Sequence, residues 1–173
     1  MSSCRLRPVW GERMCRARRP LVDFLRDPEL ACVTDNACVR MLLWPDPRIP
    51  NEVFIQAHHE SALVADALAK LRDFSFVDYI ENPDFARNVS EWIGVPFALK
   101  RLNETRRAHP QFPAVLDSEV TPEAYRLLDR SSRLDFELWR KVAERRTPKV
   151  DIRSLKASVL RENIARFKLV QGG

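Results

Sequence analysis

The chain has 173 residues and a formal net charge of +5, with basic and acidic side chains mixed along most of its length. Its hydrophobic fraction of 45% is typical of one globular domain, and no apolar run is long enough to cross a membrane, so we exclude the disordered and membrane-spanning classes. The four glycines form no glycine-rich phosphate loop, and the spacing of the four cysteines matches no zinc site.

The first segment of the chain is basic. Residues 1–20 contain six arginines against one acid, Glu12, and show no apolar period. We therefore predict an irregular N-terminal arm over 1–20. The first residues also lack the apolar core of a signal peptide, which predicts a reduced, cytoplasmic protein.

Two short helices are predicted next. Apolar residues over 21–25 begin a helix that Asp27-Pro28 ends, because the residue before a proline disfavours helical dihedral angles. Asp35 and Asn36 are typical helix caps and precede the apolar residues of 38–43. The three prolines that follow predict an irregular connection.

The middle of the chain predicts a helix, a strand and a second helix. Apolar residues recur at helical spacing over 61–71, and the aromatic and β-branched run over 74–80 is typical of a strand. Asn82-Pro83 then begins a helix over 82–93, with the asparagine as its cap, and Gly94 supplies a left-handed stop.

The last third of the chain is predicted to be helical after a proline-flanked loop. The T-P-E run at 121–123 begins one helix with a capping hydroxyl, a proline and an acid. Ser132 and Asp135 have capping-box spacing before another helix. A basic amphipathic helix is predicted over 150–170.

These elements predict a mainly α fold with one or two short strands. The strand over 74–80 carries large side chains on both faces, as in a parallel sheet that is covered on both sides. Only 53–56 is suited to be a second strand. An unpaired strand exposes a row of backbone donors and acceptors, so we expect self-association or a partner that supplies the missing strands.

The run ALAKLRDFSFVDYIENPDFARNVSEWIGVP at 67–96 stands at the centre of an ordered series of motifs. LVDFLRDPELACVTDNACVRML precedes it, and RLNETRR and YRLLDRSSRLDFELWRKV follow it. This series resembles the late part of the sulfotransferase family, especially its carbohydrate-type and bacterial members. The residues that match the central family pattern are Phe74, Phe76, Val77, Glu81, Gly94 and Pro96.

The resemblance implies the C-terminal part of the α/β sulfotransferase fold over 21–146, between the arm over 1–20 and a basic helix over 147–173. It also implies transfer of a sulfuryl group from 3′-phosphoadenosine 5′-phosphosulfate to a hydroxyl of a sugar or small metabolite. The family's phosphosulfate loop and arginine-serine pair have no counterpart in the sequence. We therefore expect that this chain alone binds no cofactor and that transfer requires the missing N-terminal half.

Five residues are candidates for substrate binding: Asn36, Arg40, Glu81, Asn103 and Arg106. The first two match the family segment that the resemblance places near the acceptor. Glu81 follows the predicted strand, at the edge where α/β proteins bind ligands. The last two lie in a proline-flanked loop and can meet an anionic group. Helix capping and solvated surface charge explain the same residues without a ligand, and the sequence identifies no catalytic base.

Two other functions stay open. The chain can be a non-catalytic remnant or partner-dependent interaction module, or a small basic helical protein that binds nucleic acid. The basic residues of the last predicted helix spread around its circumference instead of forming one stripe, which disfavours nucleic acid.

Overall fold

The computed structural model describes residues 19–99 and 118–157, and these residues are mainly helical, as predicted. The chain divides into two compact units. The first unit combines residues 1–73 with 118–138, and the second combines 74–117 with 139–173. Most of the predicted arm over 1–20 lies outside the described residues. The predicted helix over 150–170 is described only in part, and the backbone at 152–157 is helical.

The helices are numbered in chain order. They are α1 (Leu21–Arg26), α2 (Ala31–Thr34), α3 (Ala37–Leu43), α4 (Glu60–Lys70), α5 (Phe85–Ile93), α6 (Pro122–Ser131) and α7 (Arg133–Arg146). Short 3-10 turns occur at Pro28–Leu30, Ala57–His59 and Leu71–Asp73. Helix α5 belongs to the second unit, and α7 begins in the first unit and ends in the second.

Local capping signals locate several helix ends correctly. Helix α1 ends just before Asp27, whose carboxylate accepts a hydrogen bond from the amide of Glu29 at 3.0 Å and begins the next turn. Helix α6 begins at the predicted proline, and the hydroxyl of Thr121 accepts a hydrogen bond from the amide of Ala124 at 3.2 Å. Both caps satisfy amides that have no partner within their own helix.

The core of the first unit is built mainly from α3, α4 and the first turns of α7. Its buried apolar side chains are Val39, Ile49, Ile55, Leu63, Val64, Ala67, Leu68, Leu134 and Leu138. Leu63 and Ala67 are four residues apart on α4, so they lie on the same helix face, and neither is exposed. Burial of one large aliphatic side chain contributes about 1.5–3 kcal/mol, which makes this cluster the main source of stability in the unit.

The strand predicted over 74–80 is wrong, because this segment has no regular secondary structure. Its aromatic rings pack against helices instead. Phe76 stacks on Trp92 with ring centroids 5.1 Å apart, and the buried Tyr79 meets Trp139 edge to face at 6.2 Å. No strand among the described residues can pair with this backbone, so burial of the rings decides its conformation.

The segment over 53–56, suited to be a second strand, does not form one. The carbonyl of Val53 accepts a hydrogen bond from Arg40 at 2.7 Å, and the amide of Ile55 donates to Asp35 at 2.8 Å. The buried side chains of Arg40 and Asp35 therefore form the hydrogen bonds with this backbone that a neighbouring strand would otherwise form. The described part of the chain contains no strand.

Helix α5 ends as predicted but begins three residues late. Gly94 ends it with a φ of 74°, in the left-handed region that glycine adopts without strain. The side-chain oxygen of Asn82 accepts a hydrogen bond from the amide of Asp84 at 3.1 Å and forms a turn before the helix. Asn82 therefore shapes the turn that precedes α5 and does not cap it directly.

Candidate functional site

Arg40, a predicted site residue, lies in the interior of the first unit. Arg40 is 6% exposed, and its guanidinium donates to the carbonyl of Asp35 at 2.6 Å and to the Asp35 carboxylate at 2.8 Å. It also donates to the carbonyls of Pro50 at 2.8 Å and Val53 at 2.7 Å. Each guanidinium nitrogen thus has a protein partner, as a buried charge requires.

Asn36, the second predicted site residue in this unit, links the starts of two helices. Its side-chain oxygen accepts a hydrogen bond from the amide of Leu134 at 2.7 Å, in the first turn of α7. In return, the carboxylate of Asp135 accepts from the amides of Cys38 at 3.0 Å and Val39 at 2.9 Å, in the first turn of α3. Asn36, which precedes α3, therefore caps α7, and Asp135, in the first turn of α7, caps α3.

The electrostatics of this reciprocal cap affect two titratable groups. Burial raises the pKa of Asp135 above its usual range, and the hydrogen bonds from the amides of Val39 and Cys38 only partly oppose the rise. Partial burial and the neighbouring Asp135 carboxylate raise the pKa of the Cys38 thiol. Cys38 is therefore a protonated thiol at neutral pH and not a reactive thiolate.

The structure places the remaining candidates elsewhere. Glu81 belongs to the second unit, where one carboxylate oxygen accepts a hydrogen bond from the indole of Trp139 at 3.0 Å. Asn103 and Arg106 lie outside the described residues. A substrate at Asn36 or Arg40 would have to replace hydrogen bonds that hold the first unit together. The described candidates thus belong to two different units.

An open cleft of about 830 Å³ lies entirely within the second unit. It is formed by the segment before α5, by α5 itself and by the end of α7. The lining residues that matter most for its chemistry are Phe76, Asn82, Asn88, Trp92, Arg146 and Lys149. Aromatic, amide and cationic groups therefore face the same space.

The carboxylate of Asp78 organises the polar side of this cleft. Its side chain has no exposed surface and accepts hydrogen bonds from the side-chain amides of Asn82 at 2.9 Å and Asn88 at 2.8 Å. The backbone amide of Tyr79 donates to it at 2.8 Å, and a guanidinium nitrogen of Arg146 lies 3.4 Å away. Asp78 thus holds three lining residues in place.

These contacts keep Asp78 ionised. Burial acts to raise the pKa of Asp78, but the hydrogen bonds from Asn88, Asn82 and the Tyr79 amide, together with the charge of Arg146, outweigh burial and lower the pKa below its usual range. A buried, ionised acceptor fixes the direction of every donor around it. The amides of the cleft are therefore oriented before any ligand arrives.

The aromatic side of the cleft is formed by two stacked rings. Trp92 is 53% exposed and is nearly parallel to Phe76, with an angle of 18° between the ring planes. The guanidinium of Arg146 lies 5.3 Å from the centre of the Phe76 ring, within the range of a cation–π contact. Arg146 has no further hydrogen-bond partner among the described residues, so the rest of its guanidinium is free to bind a ligand.

The charged side chains of the cleft differ in their pairing. Arg87 forms ion pairs with Asp84 at 2.9 Å and Glu91 at 3.5 Å, which leaves its charge neutralised. Lys149 has no hydrogen-bond or ion-pair partner in the described part of the chain. The positive charge available to a ligand therefore lies with Lys149 and Arg146.

Sequence reasoning missed this cleft because it assigned residues 74–80 to a strand. In a strand, Asp78 would sit among large apolar neighbours with no partner. The signal that was present is the short polar set Asp78, Asn82 and Asn88 placed between aromatic residues. Such a set indicates a buried carboxylate that is saturated by amides.

Among residues 19–99 and 118–157, no group of three or more potential ligand side chains is arranged to hold a metal ion. No helix in the same ranges combines the length and the apolar character needed to span a bilayer. Comparison of the chain with protein-family models, with curated proteins and with solved structures finds no match. The function is therefore inferred from the cleft and from the sequence motifs.

Proposed function

We propose that this chain is the acceptor-binding, helical part of a sulfotransferase-type enzyme and that the acceptor is a sugar or a similar hydroxylated metabolite. Sulfuryl transfer then requires a second component that holds the phosphosulfate donor. The observation that carries this proposal is the cleft of the second unit, with its stacked aromatic pair and its oriented amides. The ordered sulfotransferase-like motifs supply the reaction class.

The chemistry of the cleft suits a sugar ring. The ring faces of sugars are apolar and pack on aromatic side chains, while their hydroxyls need fixed donors and acceptors at the edge. Trp92 offers an exposed aromatic surface, and the side-chain oxygen of Asn88 has no partner among the described residues while its nitrogen is bound to Asp78. A hydroxylated ring therefore finds both an aromatic face and a hydrogen-bond acceptor here.

The chain is not expected to perform the transfer by itself. The transferred group carries several negative charges, and its transition state requires donors that are fixed in advance around the phosphosulfate. The sequence has no glycine-rich loop and no arginine-serine pair of the family type to provide them. This part of the reaction is assigned to the second component.

The first test is sugar binding. In saturation-transfer NMR the intact chain is expected to bind glucose with a dissociation constant of about 1 mM, which corresponds to about −4 kcal/mol. Trp92→Ala should abolish the signal because it removes the aromatic platform. Tyr125→Ala is the matched control, since Tyr125 is equally exposed but belongs to the first unit. A signal that survives Trp92→Ala would contradict the proposal.

The second test concerns the cofactor. Calorimetry with 3′-phosphoadenosine 5′-phosphate is expected to show no binding to this chain alone. Micromolar binding, about −8 kcal/mol, would show that the chain contains a nucleotide site. It would contradict the proposal that a second component holds the phosphosulfate donor.

A second candidate function is that of a partner-dependent interaction module. The observation that favours it is the exposed apolar surface of the second unit. Helix α5 has no buried residue, and the large apolar side chains exposed on this unit are Phe74, Ile80, Trp92, Ile93, Val95, Phe97 and Leu99. Such a surface is typical of protein contacts. Light scattering after size-exclusion chromatography tests it, and a monomer that binds sugar would favour the first candidate.

A further inference from the structure

Two cations of the cleft have donors that no described residue uses: Lys149, which has no partner among the described residues, and Arg146, which is paired with Asp78 through one nitrogen only. We infer that the cleft prefers a ring ligand that bears an anionic group, and that Lys149 and Arg146 bind this group while Trp92 packs on the ring. This inference deepens the proposed function and rests on it, because it assigns the chemical class of the acceptor.

Lys149 is the first part of the argument. It lines the cleft, is exposed, and has no hydrogen bond or ion pair with any described residue. Arg87 also lines the cleft, but unlike Lys149 it is paired with two acids, Asp84 and Glu91. A cation without a protein partner in a concave site can bind an anion without first breaking an existing ion pair.

Arg146 is the second part. Its side chain is 38% exposed and is held from behind, because one nitrogen lies 3.4 Å from the buried carboxylate of Asp78 and its guanidinium carbon lies over Phe76. A planar guanidinium that is fixed in this way still has donors free to meet a carboxylate or sulfate oxygen. Its orientation costs little further entropy when a ligand binds.

The third part is the position of these cations relative to the aromatic pair. Arg146 contacts Phe76, and Phe76 stacks on Trp92, so guanidinium, inner ring and exposed ring are neighbours in one cleft. A ligand whose ring lies on Trp92 therefore has the cations within reach of a substituent. A ring and an anionic substituent in one molecule describe an acidic sugar better than a neutral one.

The experiment compares four ligands by NMR titration of the intact chain at low ionic strength: glucose, glucuronate, glucose 6-sulfate and acetate. We expect glucuronate to bind about tenfold more tightly than glucose. Lys149→Ala should reduce this preference to about twofold. Arg126→Ala, which removes an exposed cation from the first unit, is the matched control and should change neither.

The outcomes separate the two proposals. Equal binding of glucose, glucuronate and glucose 6-sulfate would overturn the anionic preference and leave the sugar-binding function standing. Failure of all three sugars to bind would overturn the proposed function together with this inference. Acetate binding as tight as glucuronate binding would show an anion site without ring recognition and would also overturn the inference. The comparison of glucuronate with glucose 6-sulfate decides which anionic group the cations prefer, and tighter binding of either than of glucose supports the inference.

Discussion

Each of the two units contains a buried aspartate, and the two aspartates differ in whether their partners are buried or line a cleft. Asp35 in the first unit is 1% exposed and binds Arg40, which is itself buried. Asp78 in the second unit is equally buried in its side chain, but its partners Asn82, Asn88 and Arg146 line an open cleft. A buried carboxylate with several hydrogen-bond donors thus stabilises the core of the first unit, whereas in the second unit it orients the side chains that line the cleft.

The apolar side chains follow the same division. In the first unit they form a closed cluster around α4, whereas in the second unit α5 has no buried residue. Stability in the first unit therefore comes mainly from this buried apolar cluster. In the described part of the second unit, aromatic stacking and the Asp78 hydrogen bonds carry a larger share. Four substitutions test this difference.

The largest effect is expected for Arg40→Met. The change removes the nearer of two guanidiniums from the buried Asp35 carboxylate and leaves only Arg133, at 3.5 Å. Breaking a buried pair typically costs about 3–5 kcal/mol, and we expect a loss near the lower end of this range. Urea unfolding should show this loss, and hydrogen exchange should show reduced protection of the amides in α4. Arg126→Met is a suitable control because Arg126 is exposed. A loss below about 1 kcal/mol would mean that the pair is not a structural centre of the first unit.

The next effect is expected for Asp78→Asn. The substitution removes the charge that orients two asparagine amides, and the loss should be about 1–3 kcal/mol. The cleft should also lose ligand binding, because the new amide has one acceptor oxygen and can no longer hold both Asn82 and Asn88. If the variant binds sugar as well as the parent chain, the cleft does not depend on Asp78, and the comparison between the two buried aspartates fails.

The same variant has a pH signature. The folded-state pKa of Asp78 lies below its unfolded value, so its contribution is fully present above the unfolded pKa and is lost as the pH falls through the folded one. Urea unfolding between pH 6 and acid pH should therefore show a smaller acid-induced loss in Asp78→Asn than in the parent chain. If the free energy of unfolding falls equally with pH in the variant and in the parent chain, Asp78 does not have a lowered pKa in the folded state.

A smaller effect is expected for Asn36→Gly. Glycine keeps the left-handed backbone at a φ of 49°, so the substitution removes the side-chain cap on α7 and the hydrogen bond to Asp35 without adding backbone strain. We expect a destabilisation of about 1–2 kcal/mol in urea unfolding. Asn36→Ala loses the same cap and adds backbone strain, so it should be less stable by about a further 1 kcal/mol. Equal stability of the two variants would show that the backbone at this position is not constrained.

The smallest effect is expected for Gly94→Ala. The glycine ends α5 with a φ of 74°, and a methyl group there would meet no atom within 4 Å, so only backbone strain opposes the change. The cost should be about 1 kcal/mol in urea unfolding. Ser61→Ala on α4, where the helical backbone accepts alanine freely, is the control. A loss above about 3 kcal/mol would require a steric clash that the structure does not show.

Local sequence rules determined most of the helices. Helix α4 begins within one residue of its predicted start, α6 begins at its predicted proline, and Gly94 ends α5. These features depend on residues that are close in the sequence, because periodicity, proline and left-handed glycine act within one or two turns. They could therefore be predicted without knowledge of the rest of the chain.

The cap of α7 was decided by tertiary contacts. The sequence predicts that Ser132 and Asp135 cap this helix together, but the Ser132 hydroxyl donates to the carbonyl of Leu128 at 2.7 Å, and Asp135 caps α3. Asn36, nearly one hundred residues away in the sequence, caps α7 instead. A carboxylate has several possible donors, and only the folded chain decides which of them it meets.

The cleft and the fate of the segment over 74–80 were decided in the same way. The sequence shows a short run of aromatic and β-branched residues there, a pattern that suits a strand as well as it suits aromatic rings packed on helices. The choice depends on whether a second strand is available to pair with the backbone, and 53–56, the only segment suited to that role, is bound to Arg40 and Asp35. The sequence by itself therefore determined most of the helices and several of their ends, whereas tertiary contacts decided that the polar groups around Asp78 face a cleft.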